Sequence, residues 1–99
     1  MQFIVIARDH TDAQALERRK TNRESHLAVI DGLRASGNML TAGAMISDSG
    51  QVLGSVLLGE FESRSDLDAW LKIEPFVVKG VWETVDVKEF RPAPAFARA

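Results

Sequence analysis

The chain contains no cysteine. Disulfides, thiolate metal sites and a cysteine nucleophile are therefore excluded, which fits a cytoplasmic protein. Neither sign of charge is in large excess. Twelve Lys and Arg against fourteen Asp and Glu leave a formal charge of −2, giving no basic footprint for nucleic acid and no polybasic patch for a membrane surface. Long apolar runs are missing as well. The opening FIVIA is far too short to span a bilayer and lacks a basic flank, so it reads as a strand and not as a signal peptide. The glycines of GSVLLG (54–59) come without the Lys and the following helix of a phosphate loop. Asp9, His10 and His26 do not have metal-ligand spacing. No metal or other cofactor is expected, and the sequence has no internal repeat and no low-complexity segment.

What is present is one domain's worth of alternating elements. Ninety-nine residues bury roughly 60–70% of their unfolded surface, enough for a single core. FIVIA, rich in β-branched and aromatic residues, predicts the first strand. The segment from Ala13 to Asp31 lacks Pro and Gly and predicts a helix. Thr11 and Gln14 have the spacing of a capping box, Thr21 and Asn22 are candidate break points, and Gly37 is the expected C-terminal stop. NMLTAGAMI and QVLGSVLLGEF, separated by the turn SDSG, predict a β-hairpin. SRSDLDAWLKI, with Ser63 three residues before Asp66, predicts a second helix that Pro75 ends at or near Glu74. GVWETVDVKEF alternates, with Val81, Glu83, Val85 and Val87 on one side and Trp82, Thr84, Asp86, Lys88 and Phe90 on the other. The order βαββαβ is that of the α+β, ferredoxin-like fold: a four-stranded antiparallel sheet with two helices on one face. The domain is expected over residues 1–91, with the Pro-containing PAPAFARA (from 92 to 99) as a tail.

The first and third strands are apolar on both faces. Ile4 and Ile6 oppose Phe3 and Val5, and Val56 and Leu58 oppose Leu53 and Leu57. Helices cover one face only, so the back of the sheet is expected to pack on a second copy of the chain, giving a homodimer.

On a helix over residues 19–37, Arg19, Arg23, His26, Ile30 and Leu33 fall within a sector of about 80°. His26 thus shares the sheet-facing side with Ile30 and Leu33, and two arginines lie beside it, a pattern suited to an anionic or polar ligand. Glu74 sits between apolar Ile73 and Phe76-Val77-Val78, in the helix layer that also carries His26. Imidazole titrates near neutrality, with an unperturbed pKa of about 6.5. A carboxylate bonded to one ring nitrogen fixes the tautomer and frees the other nitrogen to move a proton. Plainer roles exist for the same residues. A lone histidine on an apolar face is more often a satisfied core residue, and an acid before Pro is more often a solvated corner on the unfavourable end of the helix dipole. Trp70, Trp82, Phe61 and Phe76 are core residues by default, Phe76 being equally able to wall a pocket, and Ser55 is an ordinary strand hydroxyl without a base beside it.

Several stretches together resemble one known family. ERRKTNRESHLAVIDGLRASGNMLTAGAM, the Gly54-Ser55 pair, and GEFESRSDLDAWLKIEPFVVKGVWETVDVKEF are similar to the YciI-like, YCII-related domain family over nearly the whole chain. The most specific parts are the Arg19-x6-His26-Leu27 stretch, Ala42-Gly43, Gly54-Ser55 and the acid-Pro-aromatic step followed by Gly80. The resemblance implies a dimeric α+β barrel with sheets packed back to back and a histidine–acid pair at the site, matched here by His26 and Glu74. The family's acid is usually Asp where this chain has Glu74, and its frequent AGP is AGA at Ala44.

The resulting expectation is a cofactor-free general acid–base enzyme, a lyase or isomerase acting on a small polar or cyclic organic molecule. His26 would transfer the proton and Glu74 orient it, while Arg19, Ser55 and Phe76 contact the ligand. The alternative is a non-catalytic small-molecule-binding or accessory dimeric module.

Overall fold

The computed structural model describes residues 1–97. Strand β1 (Gln2–Asp9) leads to helix α1 (Ala15–Ala35), then β2 (Met39–Ile46), β3 (Val52–Glu60), α2 (Arg64–Leu71), a one-turn helix α3 (Pro75–Val78) and β4 (Trp82–Phe90). The strands lie in the order β2-β3-β1-β4, and all three pairings are antiparallel. This is the ferredoxin-like arrangement that the element order predicts.

Alternation along each strand decides which residues meet the helices. Phe3, Val5 and Ala7 of β1, with Leu57 of β3, point into the helix layer and are buried with Ile30, Leu67, Trp70, Phe76 and Val81. The neighbours on the other face are Ile4 and Ile6, paired with Leu58 and Val56. They are only half-buried in the single chain, so an apolar strip runs along the back of the sheet. At one end of that face Leu58 and Phe90 meet Pro92, Ala93 and Phe96 around a shallow apolar hollow. The tail expected to be irregular thus forms a 3-10 turn over Pro94–Phe96. Arg98 and Ala99 of that tail lie outside the described residues.

Four local expectations need correction. First, α1 begins at Ala15 behind Gln14, which makes no side-chain cap bond. Thr11 is not a cap. Asp12 organises the entry instead, accepting from the Gln14 N–H and from Arg18. Second, Thr21 and Asn22 do not interrupt α1, which runs unbroken for 21 residues; the Asn22 side chain donates to the Arg18 carbonyl one turn back. Third, β4 does not alternate regularly. Its register with β1 slips between Arg8 and Asp9, so Trp82 faces Asp9 while Thr84 faces Arg8. The extra residue turns Trp82 onto the helix side, away from Thr84 and Asp86. Fourth, Leu33 is half-buried in a groove with Val29, Phe61 and Trp70, beside α2, and the sheet-side anchor of α1 is Ile30.

Helix ends are where the sequence signals act most directly. Ser63 caps α2 by accepting from the Asp66 N–H. Gly37, at φ 85°, closes α1: its N–H reaches the Arg34 carbonyl and the next N–H, of Asn38, reaches Leu33, the paired bonds of a Schellman turn. Gly54 has a different reason to be glycine. A methyl group there would fall against the Ala7 carbonyl oxygen and 2.9 Å from Arg8 Cα, backbone atoms that cannot swing away. Gly43, on the edge strand, has open space around the same position. Gly54→Ala should therefore lower the unfolding free energy by about 1–3 kcal/mol or more, as overpacking does, with Gly43→Ala close to neutral. Urea denaturation of the two variants checks the contrast, and equal destabilisation would contradict it.

Candidate functional site

The segment KIEPFVVKG is built differently from the single helix end expected there. α2 stops at Leu71, and Glu74 begins a new helix. Pro75 occupies the first position of α3, where its missing N–H is no loss. Glu74 is the N-cap, in extended conformation, and its Oε2 accepts the Phe76 N–H at 2.7 Å. Gly80, at φ 68°, then ends the turn. Its N–H bonds the Val77 carbonyl, and the Val81 N–H bonds Phe76, a second Schellman closure. The helix dipole at this carboxylate is thus favourable, the reverse of what a C-terminal position would give.

The same oxygen does a second job. Glu74 Oε2 lies 2.9 Å from His26 Nδ1 on α1. Glu74 is 0% exposed and His26 7%. Phe76, two residues after Glu74, stacks on the imidazole with centroids 3.9 Å apart and planes 7° from parallel. Trp82 meets the imidazole edge-on at 5.9 Å. The ring is therefore fixed in position by stacking and in rotation by the carboxylate. An ionised Glu74 can only accept, so Nδ1 carries the proton, and in the neutral imidazole Nε2 then has its lone pair free. Nε2 has no hydrogen-bond partner among the described residues, yet is not sealed from solvent. It opens on a cleft of about 230 Å³ between α1, β2, β3 and α3.

The cleft walls gather most of the residues singled out from sequence. Arg19, Arg23, His26, Ser55 and Phe76 line it, with Leu27, Ile30 and Leu57 as apolar surface and Ala42, Gly43 and Ala44 at the β2 edge. Glu74 stands behind His26 and does not line the cleft. Arg19 is already engaged. Its Nη1 donates to both oxygens of Asp9 at 2.8 Å, its Nη2 donates to Ser55 Oγ at 3.1 Å, and its guanidinium carbon sits 4.9 Å from the Phe76 centroid. Ser55 Oγ accepts a second bond, from Trp82 Nε1, at 3.2 Å. Among the described residues no three metal-ligating side chains converge, and no helix is long and apolar enough to cross a membrane.

Two participants escaped the sequence reading. Trp82 is a core residue, as expected by default, but alternation grouped it with Thr84 and Asp86, and the register slip that brings it to Ser55 has no local signature. The general tendency of a buried indole N–H to find an acceptor was the available clue. Asp9 was weighed for metal-ligand spacing; only the fold brings it to Arg19.

An N-cap needs only a short oxygen, and Ser, Asp or Asn supply it best. Glu74 supplies that oxygen, and the same atom reaches His26. One consequence is testable on the folded state alone. Glu74→Ala strands both a buried imidazole N–H and the Phe76 N–H, and should cost about 3–5 kcal/mol, as breaking a buried pair does. Glu74→Gln keeps an oxygen for both donors and should cost about 1–3 kcal/mol, the scale of one buried amide left short of partners. Chemical denaturation of the two variants measures the difference, and equal losses would mean that Oε2 is not the shared acceptor.

Residues 1–91 match the family model of the YCII-related domain. Protein YciI from Escherichia coli O6:H1 is 38% identical over 97 residues, spanning 92% of this chain and 97% of that protein. Among solved structures, 5-chloro-2-hydroxyhydroquinone dehydrochlorinase (TftG) from Burkholderia phenoliruptrix AC1100, in complex with 2,5-dihydroxybenzoquinone, superposes with a TM-score of 0.81 at 22% identity, covering 96% of this chain and 98% of that one. An antibiotic biosynthesis monooxygenase superposes at 0.54 and 15% identity, covering 93% and 100%. At these identities the structural likeness is one of fold, that of the ferredoxin-like and dimeric α+β barrel proteins. The family match and the curated relative together place the chain: it belongs to the YCII-related domain family.

Proposed function

We propose that the protein is a cofactor-free general acid–base enzyme, a lyase or isomerase acting on a small polar or cyclic organic molecule. The observation that carries this reading is a histidine held at Nδ1 by a fully buried carboxylate while Nε2 opens on a cleft. His26 Nε2 takes a proton from the ligand and returns it, and Glu74 keeps the ring in the tautomer that leaves Nε2 basic. Arg19, Ser55 and Phe76 form the ligand-facing wall: Arg19 fixes Ser55, and Phe76 is the stacking platform beneath the imidazole. A purely structural histidine would be expected to spend both nitrogens on protein partners and to leave no cleft. The named activity of the TftG neighbour, a dehydrochlorination, belongs to the same broad class of chemistry and supports the reading without supplying a substrate. A positioned acid or base contributes about 10²–10⁴ in rate, so this pair suffices for a modest enzyme.

We further propose that it acts as a cytoplasmic homodimer. The half-exposed strip of Ile4, Ile6, Val56 and Leu58 on the sheet back is the surface a second copy would bury. Light scattering after gel filtration at micromolar concentration should give twice the chain mass, and a monomer would refute the pairing.

The chemistry is tested by proton NMR in deuterium oxide, following exchange of carbon-bound protons and turnover in a panel of hydroxyquinones and small 1,3-dicarbonyl compounds. His26→Asn should remove at least about 10²-fold of any rate seen. It should destabilise the fold less than Leu67→Ala, whose fully buried side chain leaves a cavity worth about 2–5 kcal/mol. Ligands that bind without His26-dependent exchange or turnover would identify a non-catalytic binding module instead. If His26→Asn unfolds the protein as badly as Leu67→Ala, the histidine is a core residue.

A further inference from the structure

The two arginines of the cleft are not equivalent. Arg19 faces Asp9 through one nitrogen and Ser55 through the other, and its side chain is 12% exposed. Its charge is met by a carboxylate within the fold. Arg23, one turn further along α1, lines the same cleft and is exposed. Among the described residues it has neither an ion pair nor a hydrogen bond. The opposing charges of Arg19 and Asp9 cancel, and Glu74 does not line the cleft, so Arg23 is the unpaired charge on the wall that a molecule in the cleft touches.

Ser55 adds a directional constraint. A serine hydroxyl has two lone pairs and one proton. Both lone pairs are occupied, by Arg19 Nη2–H and Trp82 Nε1–H. The hydroxyl is therefore left with its proton to give and no capacity to accept. No acceptor within the protein takes that proton among the described residues, and Ser55 lines the cleft. It can greet a ligand only as a donor. Two donors of different kinds, one neutral and oriented and one cationic, thus face the cleft beside the His26 imidazole and the apolar Leu27, Ile30 and Leu57.

Resting on the acid–base reading for its location but not for its logic, we propose that this cleft selects small organic anions: an apolar body carrying an oxyanion, as in an enolate, phenolate or carboxylate, with one oxygen accepting from Ser55 and the negative charge facing Arg23. Arg23 is the specificity-determining residue. Arg19 is a positioning residue that aims Ser55 by holding its lone pairs. A ligand group that offers only a donor at this point, such as an ammonium, finds no acceptor on Ser55 and a like charge on Arg23.

The test uses 2,5-dihydroxybenzoquinone, an anion at neutral pH, and hydroquinone, a neutral ring of similar size, as binding probes. Titration is followed by amide chemical shifts of residues 23–30 and 54–57. The anion should bind at least about tenfold more tightly than the neutral ring, the scale of one charge-assisted hydrogen bond. Its affinity should fall with added salt. Arg23→Gln should erase the preference while leaving hydroquinone binding unchanged, and Arg23→Lys should restore part of it. Ser55→Ala should weaken the anion several-fold without altering its salt dependence. Arg19→Gln should move the Trp82 indole N–H resonance, because the shared hydroxyl is released, whereas Arg23→Gln should leave it in place. The proposal is overturned if neither probe shifts these amides at millimolar concentration, if both bind equally, or if Arg23→Gln retains the anion preference. These readouts need no proton transfer. Loss of exchange in His26→Asn with an unaltered Arg23→Gln sinks this inference alone. Arg23-dependent anion binding with no exchange in the wild type sinks the enzyme reading and leaves this one standing.

Discussion

One carboxylate oxygen ties the site to the fold. Glu74 Oε2 accepts the Phe76 N–H that starts α3 and the Nδ1–H of His26 on α1. The two bonds join elements 48 residues apart in sequence, and neither element would place its residue alone. α3 is a single turn, too short to be stable on its own propensity. It exists because Pro75 presets its first residue, Glu74 caps it, and Gly80 closes it. Packing of Phe76 on the imidazole then sets the distance at which the carboxylate can reach Nδ1. Removing the acid therefore affects a helix cap, a buried ring and the cleft together. Fully burying a carboxylate is expensive unless its charge is met, and its second oxygen has no partner among the described residues. Capping one turn of helix is a weak reason to accept that cost. Orienting a histidine at the edge of a cleft is a stronger one.

The rest of the cleft follows the same pattern of polar groups held from behind. Asp9 holds Arg19, Arg19 and Trp82 hold Ser55, and Glu74 holds His26. In each case the group facing the cleft has been stripped of alternatives: Nε2 can accept, and the Ser55 hydroxyl can donate. Rigid elements carry all of them. Asp9 and Ser55 stand on paired strands, Trp82 on the edge strand beside β1, and Arg19 and His26 seven residues apart on α1. Such preorganisation is what allows a small site to discriminate without large motion.

Much of the fold was legible because its signals are local. The order of elements, Ser63 as a cap, Gly37 as a stop and the two-sided apolarity of β1 and β3 each depend on a few neighbouring residues. The helical face of His26 and both arginines came from simple periodicity. What was not legible depended on partners distant in sequence. Pro75 was read as the end of one helix when it is also the start of another, because the same residue serves both roles and only the Glu74 side-chain bonds decide between them. Trp82 was expected in the core, but its bond to Ser55 was not visible because a one-residue slip between β1 and β4 leaves no mark in either strand. Asp9 was passed over because an acid at the end of a strand has no visible partner until the chain is folded. The shared helix layer suggested pairing His26 with Glu74, the YCII-related resemblance matched the same two residues, and the structure brings them into contact.

The central claim is that Glu74 holds His26 as the Nδ1–H tautomer, leaving Nε2 as the base that faces the cleft. Long-range proton–nitrogen correlation NMR of the imidazole measures this directly. The account predicts, for neutral His26, a protonated Nδ1 whose proton is hydrogen-bonded and slow to exchange with water, beside an Nε2 with the shift of a bare, pyridine-like nitrogen. A proton on Nε2, or a ring that exchanges freely between tautomers, would contradict it.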